Sequence, residues 1–268
     1  MDRVGPHSIE QHRVWGRSTV LRVEADGESL WFKQSYGLPP GEGAALAQAQ
    51  RVESRLVLPG VVSAEGSRVL MRPLAGVPLL ESPDSCWARA IADIVQFQQA
   101  AEPAPWQALG VRGSQDWPAR LATLFRDYDM PLELAEEMTP RFDDPGLLPL
   151  GVLPQDLGPC NLRWLGERAQ AYDWSDVRIG DPGMVLDRFL NECDTPARRE
   201  AVTESWLSAW GPEGEAAWAA TRRCALLHEA VRFDDELPWL DEDAPLALRL
   251  RALIRSQLLR LQEHHART

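Results

Sequence analysis

The hydrophobic pattern changes character about a third of the way along the chain. Early on it alternates. Residues 18–25, STVLRVEA, set Leu21, Val23 and Ala25 on one face at period two, and Asp26-Gly27 follows as a hairpin turn signal. A returning strand, SLWFKQ, would put Leu30 and Phe32 on one side and Trp31 and Lys33 on the other. The Ala- and Leu-rich run EGAALAQAQRVESRL (42–56) predicts a helix, and VLPGVVSAEGSRVLMRPL predicts short β pieces broken by glycine and proline.

From Ser82 onward the period lengthens to that of amphipathic helices. Ser85 is positioned to cap CWARAIADIVQFQQAA, in which Ala88, Ile91, Val95 and Gln98 share a face with Trp87 and Ile94 nearby. Thr195-Pro196 is an N-cap followed by proline at the first helical position, which predicts a helix over ARREAVTESWLSAW. EAAWAATRRCALLHEAV and APLALRLRALIRSQLLRLQEHH predict two more. Between these helices lies LLPLGVLPQDLGPCNLRWLGERAQAYDWSDVRIGDPG, loop-rich and full of carboxylates. The pattern predicts a β-rich N-terminal lobe over residues 1–72 and a helical C-terminal lobe over 73–268, joined near residues 71–78.

Composition narrows the function classes. The 268 residues carry a formal net charge of -12, so phosphate backbones and anionic lipid would repel the chain as a whole. Nucleic acid and membrane surface are therefore poor expected partners, while a cationic small molecule is compatible. The four cysteines (Cys86, Cys160, Cys193, Cys224) form no C-x-x-C and have no histidine cluster beside them, so neither a disulfide framework nor a zinc site is expected. MDRVGPHSIEQHR lacks the apolar core of a signal peptide, and no stretch approaches the ~18 uninterrupted apolar residues of a membrane span. The expected setting is the cytoplasm.

One number changes the reading. Of the 28 basic residues, 27 are arginine, and the single lysine is Lys33. A lysine is a compact point charge suited to phosphates, where arginine brings a planar fork. Downstream, QDLGPCN places Asp156 and Asn161 with four residues between them, and Asp173 follows in AYDWSD. Phosphoryl transfer from ATP needs a carboxylate near the acceptor hydroxyl and hard oxygen ligands for Mg²⁺, both of which this trio could supply. Each residue also has a bland reading: a charged strand residue is usually solvated, and Asp and Asn are common turn formers. Their order and spacing favour the chemical one.

The segments PQDLGPCN and YDWSDVRIGDP resemble the H-G-D-x-x-x-x-N and I-D-W/F-x-x-x-x-x-G-D-P motifs of the aminoglycoside phosphotransferase and choline kinase-like family, relatives of the protein kinases. The resemblance runs from about Trp15 to at least Leu190. It implies a two-lobed α+β kinase-like fold, with a small antiparallel sheet and one helix ahead of a larger helical lobe. It also implies ATP as phosphoryl donor and Mg²⁺ as cofactor. Carried onto this chain, Asp156 would orient or deprotonate the acceptor hydroxyl, Asn161 and Asp173 would hold Mg²⁺, and Lys33 would pair with the α- and β-phosphates. Glu42 would take the place of the helix glutamate that pairs with the lysine, with Glu53 as the alternative partner. WGRST would cover the phosphates, with Gly16 and Ser18 nearest the nucleotide, and the Arg72 carbonyl and Leu74 amide would meet the adenine edge.

The chain departs from the family at Pro154 and Gln155, which stand where the motif has histidine and glycine. The hydrogen bond that steadies the loop in relatives must then be lost or replaced, which motivates an alternative reading as a nucleotide-binding module that acts by association. Relatives phosphorylate aminoglycosides, choline or ethanolamine, homoserine, sugars and fructosamines. The acidic balance here tilts the expected hydroxyl acceptor toward a cationic one such as an aminoglycoside or an amino alcohol. Smaller expectations complete the reading. Asp181 braces its loop, and Asp176 either faces the acceptor or is an exposed loop carboxylate. Cys160 is a small apolar filler, Trp15 and Trp174 sit beside the nucleotide, and the acidic run 233–245 is either solvated or lines an acceptor site.

Overall fold

The computed structural model describes residues 8–15, 17–36, 40–113, 117–142, 147–154 and 156–265. Its first half holds strands β1 (Ser8–Trp15), β2 (Ser18–Ala25), β3 (Glu28–Ser35), β4 (Val61–Glu65) and β5 (Arg68–Met71), with helix α1 (Glu42–Ala49) between β3 and β4. They form one antiparallel sheet in the order β1-β2-β3-β5-β4. The β2–β3 hairpin turns where expected. Ala25 pairs with Glu28, and Asp26 and Gly27 take φ values of 53° and 80°, the left-handed pair that a two-residue hairpin turn requires.

β1 was not foreseen. SIEQHRVW offers few apolar residues for alternation to act on, and Ile9 and Val14 are exposed on this edge strand. α1 stops at Ala49, well short of the predicted residue 56; Arg51 and Val52 close turns on Gln48 and Ala49, and the chain then runs on to pair with β9. The Val57 amide donates to the Ala169 carbonyl at 2.8 Å and the Val57 carbonyl accepts from Ala171 at 3.0 Å, while Leu56 is buried. Glu53 therefore lies beyond the helix and is exposed.

The second half begins with β6 (Val77–Pro78) and α2 (Asp84–Ala100), then α3 (Pro103–Ala108), α4 (Trp117–Asp127) and α5 (Leu132–Met138). β7 (Gly151–Pro154), β8 (Leu162–Trp164), β9 (Ala169–Ala171) and β10 (Val177–Gly180) follow, and α6 (Gly183–Glu192), α7 (Pro196–Trp210), α8 (Gly214–Glu236) and α9 (Pro245–His265) close the chain. α2 begins ahead of Ser85, with Pro83 at the N-cap and Asp84 in the first turn, where a carboxylate complements the helix dipole. Asp84 also accepts from Arg198 Nε at 2.7 Å, tying α2 to α7. Thr195 caps α7 as expected, its side chain accepting from the Arg198 amide.

One hydrophobic core runs from Ala45, Leu46 and Ala49 of α1 through Trp87, Ile91 and Ile94 of α2 to Trp174, Phe189 and Trp206. A second core gathers Leu121 and Phe125 of α4, Leu134 of α5, Leu227 and Val231 of α8 and Ile254 of α9. Trp174 is fully buried with its ring 5.3 Å from that of Phe97, so it is a core residue; the Trp15 side chain lies outside the described residues.

Candidate active site

A cleft of about 740 Å³ opens between the sheet and the irregular segments of the second half. Seven of the nine site residues expected from sequence line it, Ser18, Lys33, Glu42, Arg72, Leu74, Asn161 and Asp173, while Asp156 is not among its lining residues. Gly16 lies outside the described residues. Period-two geometry does what the sequence pattern required, because Trp31 and Lys33 face this cleft together.

Lys33 is at its centre. Its Nζ lies 2.6 Å from Asp173 Oδ1 and 2.7 Å from Glu42 Oε2. Burial alone would lower the Lys33 pKa, but the two carboxylates outweigh it and hold the ammonium above its ordinary value. Glu42, not Glu53, is the lysine's helix partner. Besides Lys33 it accepts from Ser35 Oγ at 2.8 Å and from the Trp174 amide at 3.2 Å, so both of its oxygens are engaged although the side chain is buried. Burial raises the Glu42 pKa, and Lys33 works against that rise. Glycine makes this placement possible. A Cβ on Gly41 would meet the Ser67 backbone at 2.8 Å and one on Gly43 the Arg68 carbonyl at 2.7 Å, so only bare backbone lets the start of α1 press this close to the β4–β5 turn.

Asp173 occupies the left-handed region at φ 62°, uncommon for a residue with a Cβ and costing on the order of 1 kcal/mol. Its Oδ1 accepts from Lys33 and, at 2.8 Å, from Ser175 Oγ. Burial pushes its pKa upward, but Lys33 and these hydrogen bonds hold it below the usual carboxylate range. Asn161 spends its amide hydrogens on the Asp156 carbonyl at 2.9 Å and on Oδ2 at 3.4 Å, which leaves its amide oxygen available to a cation.

These contacts also hold the loop without the family's histidine. The Leu157 amide donates to Pro154 O, the Gly158 amide to Asp156 O at 2.9 Å, and Asn161 to the same carbonyl. The Asp156 carboxylate is held from the other side. Arg188 of α6 bonds it directly, and Arg232 of α8 lies 3.5 Å away. Both arginines also bond Glu229, at 2.9 and 3.2 Å. No local sequence signal pointed to Arg188 or Arg232, which reach Asp156 from 32 and 76 residues away.

Asp181 is a brace, accepting from the Gly183 amide at 2.8 Å and from Thr221 Oγ1 at 2.5 Å. Asp176 is buried, not an exposed loop carboxylate. Burial, with Asp173 and Asp156 adding to it, raises its pKa to about 7 against the pull of Arg17 and Lys33. Cys160 is exposed on the cleft wall, not a filler. The acidic run is partly paired, with Asp235 2.6 Å from Arg120 and Glu236 3.7 Å from Arg232. Sequence reasoning missed His12, whose ring meets Trp31 edge-on at 4.8 Å, and Met71, the cross-strand partner of Trp31. With the Arg72–Leu74 segment they line the same cleft as Lys33 and Asp173.

Asp173 and Asn161 fit Mg²⁺, which takes hard oxygen ligands, typically one or two from protein with the rest from phosphate and water. Among the described residues no group of three or more His, Cys, Asp or Glu could hold a metal ion, so an all-protein cage is not on offer.

Among solved structures the chain is similar to macrolide 2'-phosphotransferase MphH from Brachybacterium faecium, with a TM-score of 0.62 and 16% identity over 94% of this chain and 93% of that one. It is similar to a choline/ethanolamine kinase family protein from Mesorhizobium loti, TM-score 0.59 and 18% identity over 95% and 92%. It is also similar to ADP-bound aminoglycoside phosphotransferase APH(2'')-Ib, TM-score 0.58 and 12% identity over 96% and 93%. No protein-family model matches the chain, and no curated protein sequence does. The likeness is one of fold, a two-lobed kinase-like α+β architecture, over nearly the whole length. Among the described residues no helix is long and apolar enough to cross a membrane.

Proposed function

We propose that the protein is an ATP- and Mg²⁺-dependent kinase that transfers the γ-phosphoryl group to a hydroxyl of a small molecule. The observation that carries this reading is the convergence of Lys33, Glu42 and Asp173, from three separate elements, in a cleft also lined by Asn161, Trp31, Met71 and Leu74. Trp31, Met71 and the Arg72–Leu74 segment, which line the same cleft, take the adenine. Lys33 sets a point charge against the α- and β-phosphates, and Glu42 fixes the direction of that ammonium. Bound between Asp173 and Asn161, Mg²⁺ would neutralise phosphate charge and orient the triphosphate. Asp156 accepts the hydroxyl proton as the acceptor oxygen attacks in line, and Ser18 lies over the phosphates from β2. Catalysis then comes mainly from positioning and charge neutralisation.

The acceptor this site favours is cationic, an aminoglycoside or an amino alcohol. This preference rests on the chain's formal net charge of -12, which favours a cationic ligand. An ADP-release assay over a panel of cationic and neutral hydroxyl compounds tests this. Turnover with at least one cationic acceptor is expected, and use of neutral sugars alone would refute the cationic class. Asp156→Ala should cut turnover about 10²- to 10⁴-fold, and unchanged turnover would remove Asp156 from the mechanism.

The ion pairs from Arg188 and Arg232 to Asp156 favour one second reading, a protein that binds nucleotide and acts by association. It predicts a Mg²⁺-ATP thermal shift with no ADP release under any acceptor.

A further inference from the structure

Helices α6, α7, α8 and α9 border a groove of about 860 Å³ that shares no lining residue with the nucleotide cleft. Arg199 and Thr203 on α7, and Trp218, Arg222 and Leu226 on α8, are spaced one turn apart and line it, with buried Leu190 and Leu261 supplying apolar surface. Its charge runs against that of the protein. Five arginines line it against three carboxylates, in a chain of formal net charge -12. One of those carboxylates is already matched, because Glu229 accepts from Arg188 at 2.9 Å and from Arg232 at 3.2 Å. Arg199, Arg222, Arg223 and Arg260 then face only Asp187 and Glu263. Asp187 accepts from Asn191 at 3.1 Å, Arg199 donates to the Leu190 carbonyl at 2.7 Å, and Arg260 donates to Gln257 at 3.3 Å. Arg222 and Arg223 pair with no carboxylate among the described residues, and both are exposed, so a solute can reach them. Neighbouring guanidiniums without counter-charges repel each other, and a bound anion relieves that repulsion.

We propose that this groove binds a small anion carrying two or more carboxylate or phosphate charges, held by Arg222 and Arg223 from α8 with Arg199 and Arg260 from α7 and α9, as a ligand additional to nucleotide and acceptor. Guanidinium forks take carboxylate and phosphate oxygens two at a time, and the volume is that of a small-molecule site. The inference goes beyond the kinase reading and stands without it. The excess of positive charge repels a cationic acceptor, which makes the ligand a further species. One wall ends at Arg188, whose guanidinium also bonds Asp156, so the anion sits one side chain from the proposed proton acceptor.

Calorimetric titration of the full chain with succinate and with inorganic phosphate tests the site. The wild type should bind at least one of them at millimolar concentration or below, and more weakly as salt is raised. Arg222→Gln combined with Arg223→Gln should weaken that binding about 10²-fold, tenfold for each charge-assisted bond removed. Arg249→Gln combined with Arg255→Gln removes the same charge from exposed positions of α9 outside the groove and should leave binding unchanged. A wild type that binds neither anion, or equal losses in the two double variants, would overturn the site. The affinity should also hold at saturating Mg²⁺ and the β,γ-imido analogue of ATP; loss of binding there would place the anion in the nucleotide cleft and overturn the proposal. Competition between the anion and an acceptor that is turned over would make the groove the acceptor's own and overturn the additional ligand. Anion binding by a protein that takes up no nucleotide would support the groove and count against the kinase reading alone. Thermal unfolding checks that the variants are folded, and either single substitution carries the same test at about a tenfold loss if the double variant is not.

Discussion

The Lys33 ammonium donates to Asp173 across 140 residues of sequence, and at 2.6 Å it ties the sheet to the segment that follows β9 in the second half. The same ammonium neutralises Glu42, a buried carboxylate on α1. Lys33→Met should therefore cost stability as well as nucleotide affinity, because it leaves Glu42 buried without a counter-charge. A loss of about 3 kcal/mol is expected by urea denaturation, and adding Glu42→Gln should recover much of it. A single variant as stable as the wild type would contradict the burial of this pair.

Asp176 gives the protein a pH dependence of known sign. Its folded pKa, about 7, stands above the ordinary carboxylate value of 3.8, so the folded state binds more protons than the unfolded one between these limits. This residue's contribution to stability therefore falls as pH rises from about 4 through 7. In metal-free buffer Asp176→Asn should melt higher than the wild type at pH 8, by about 2–4 °C for each kcal/mol relieved, with the difference closing toward pH 4. Parallel melting curves at all pH values would show that the carboxylate is not confined as described.

Asn161 is the proposed Mg²⁺ ligand and also bonds the Asp156 carbonyl. Replacing it with alanine should raise the Mg²⁺ concentration needed for half-maximal ATP binding by at least about tenfold. Titrating Mg²⁺ at fixed ATP and following tryptophan fluorescence reads this out. An unshifted curve would leave Asp173 as the sole protein ligand.

Gly183 opens α6 with almost no room around it. A Cβ there would stand 2.2 Å from Thr221 Oγ1, the hydroxyl that bonds Asp181. Gly183→Ala should cost about 1–3 kcal/mol as an overpacked position, and it should lower turnover besides, since α6 carries Arg188 to the Asp156 loop. Denaturation and ADP release on the same preparation check both effects.

What was legible in the sequence is what depends on neighbours in the chain. The β2–β3 hairpin followed from alternation and one Asp-Gly pair, and the α7 start followed from Thr195-Pro196. Lys33, Glu42, Asn161 and Asp173 were legible through residue type and order, and they line one cleft. The rest is decided by contacts between distant segments. β1 is polar on an exposed edge, so no hydrophobic pattern announces it. α1 ends at Ala49, and the chain beyond it runs on to pair with β9. Arg188 and Arg232 are ordinary helix arginines until the fold brings them to Asp156, and burial makes Trp174 a packing residue and Asp176 a confined acid.

The apolar continuity from α1 into α2 has a mechanical consequence. Prying the small half away as a rigid jaw would wet Leu46, Leu56 and Met71, at roughly 25 cal/mol for every Å² uncovered. The β1 edge, where Ile9 and Val14 are already exposed, has less apolar surface left to uncover. The lysine is then a fixed post between the two halves, tied to α1 on one side and to Asp173 on the other.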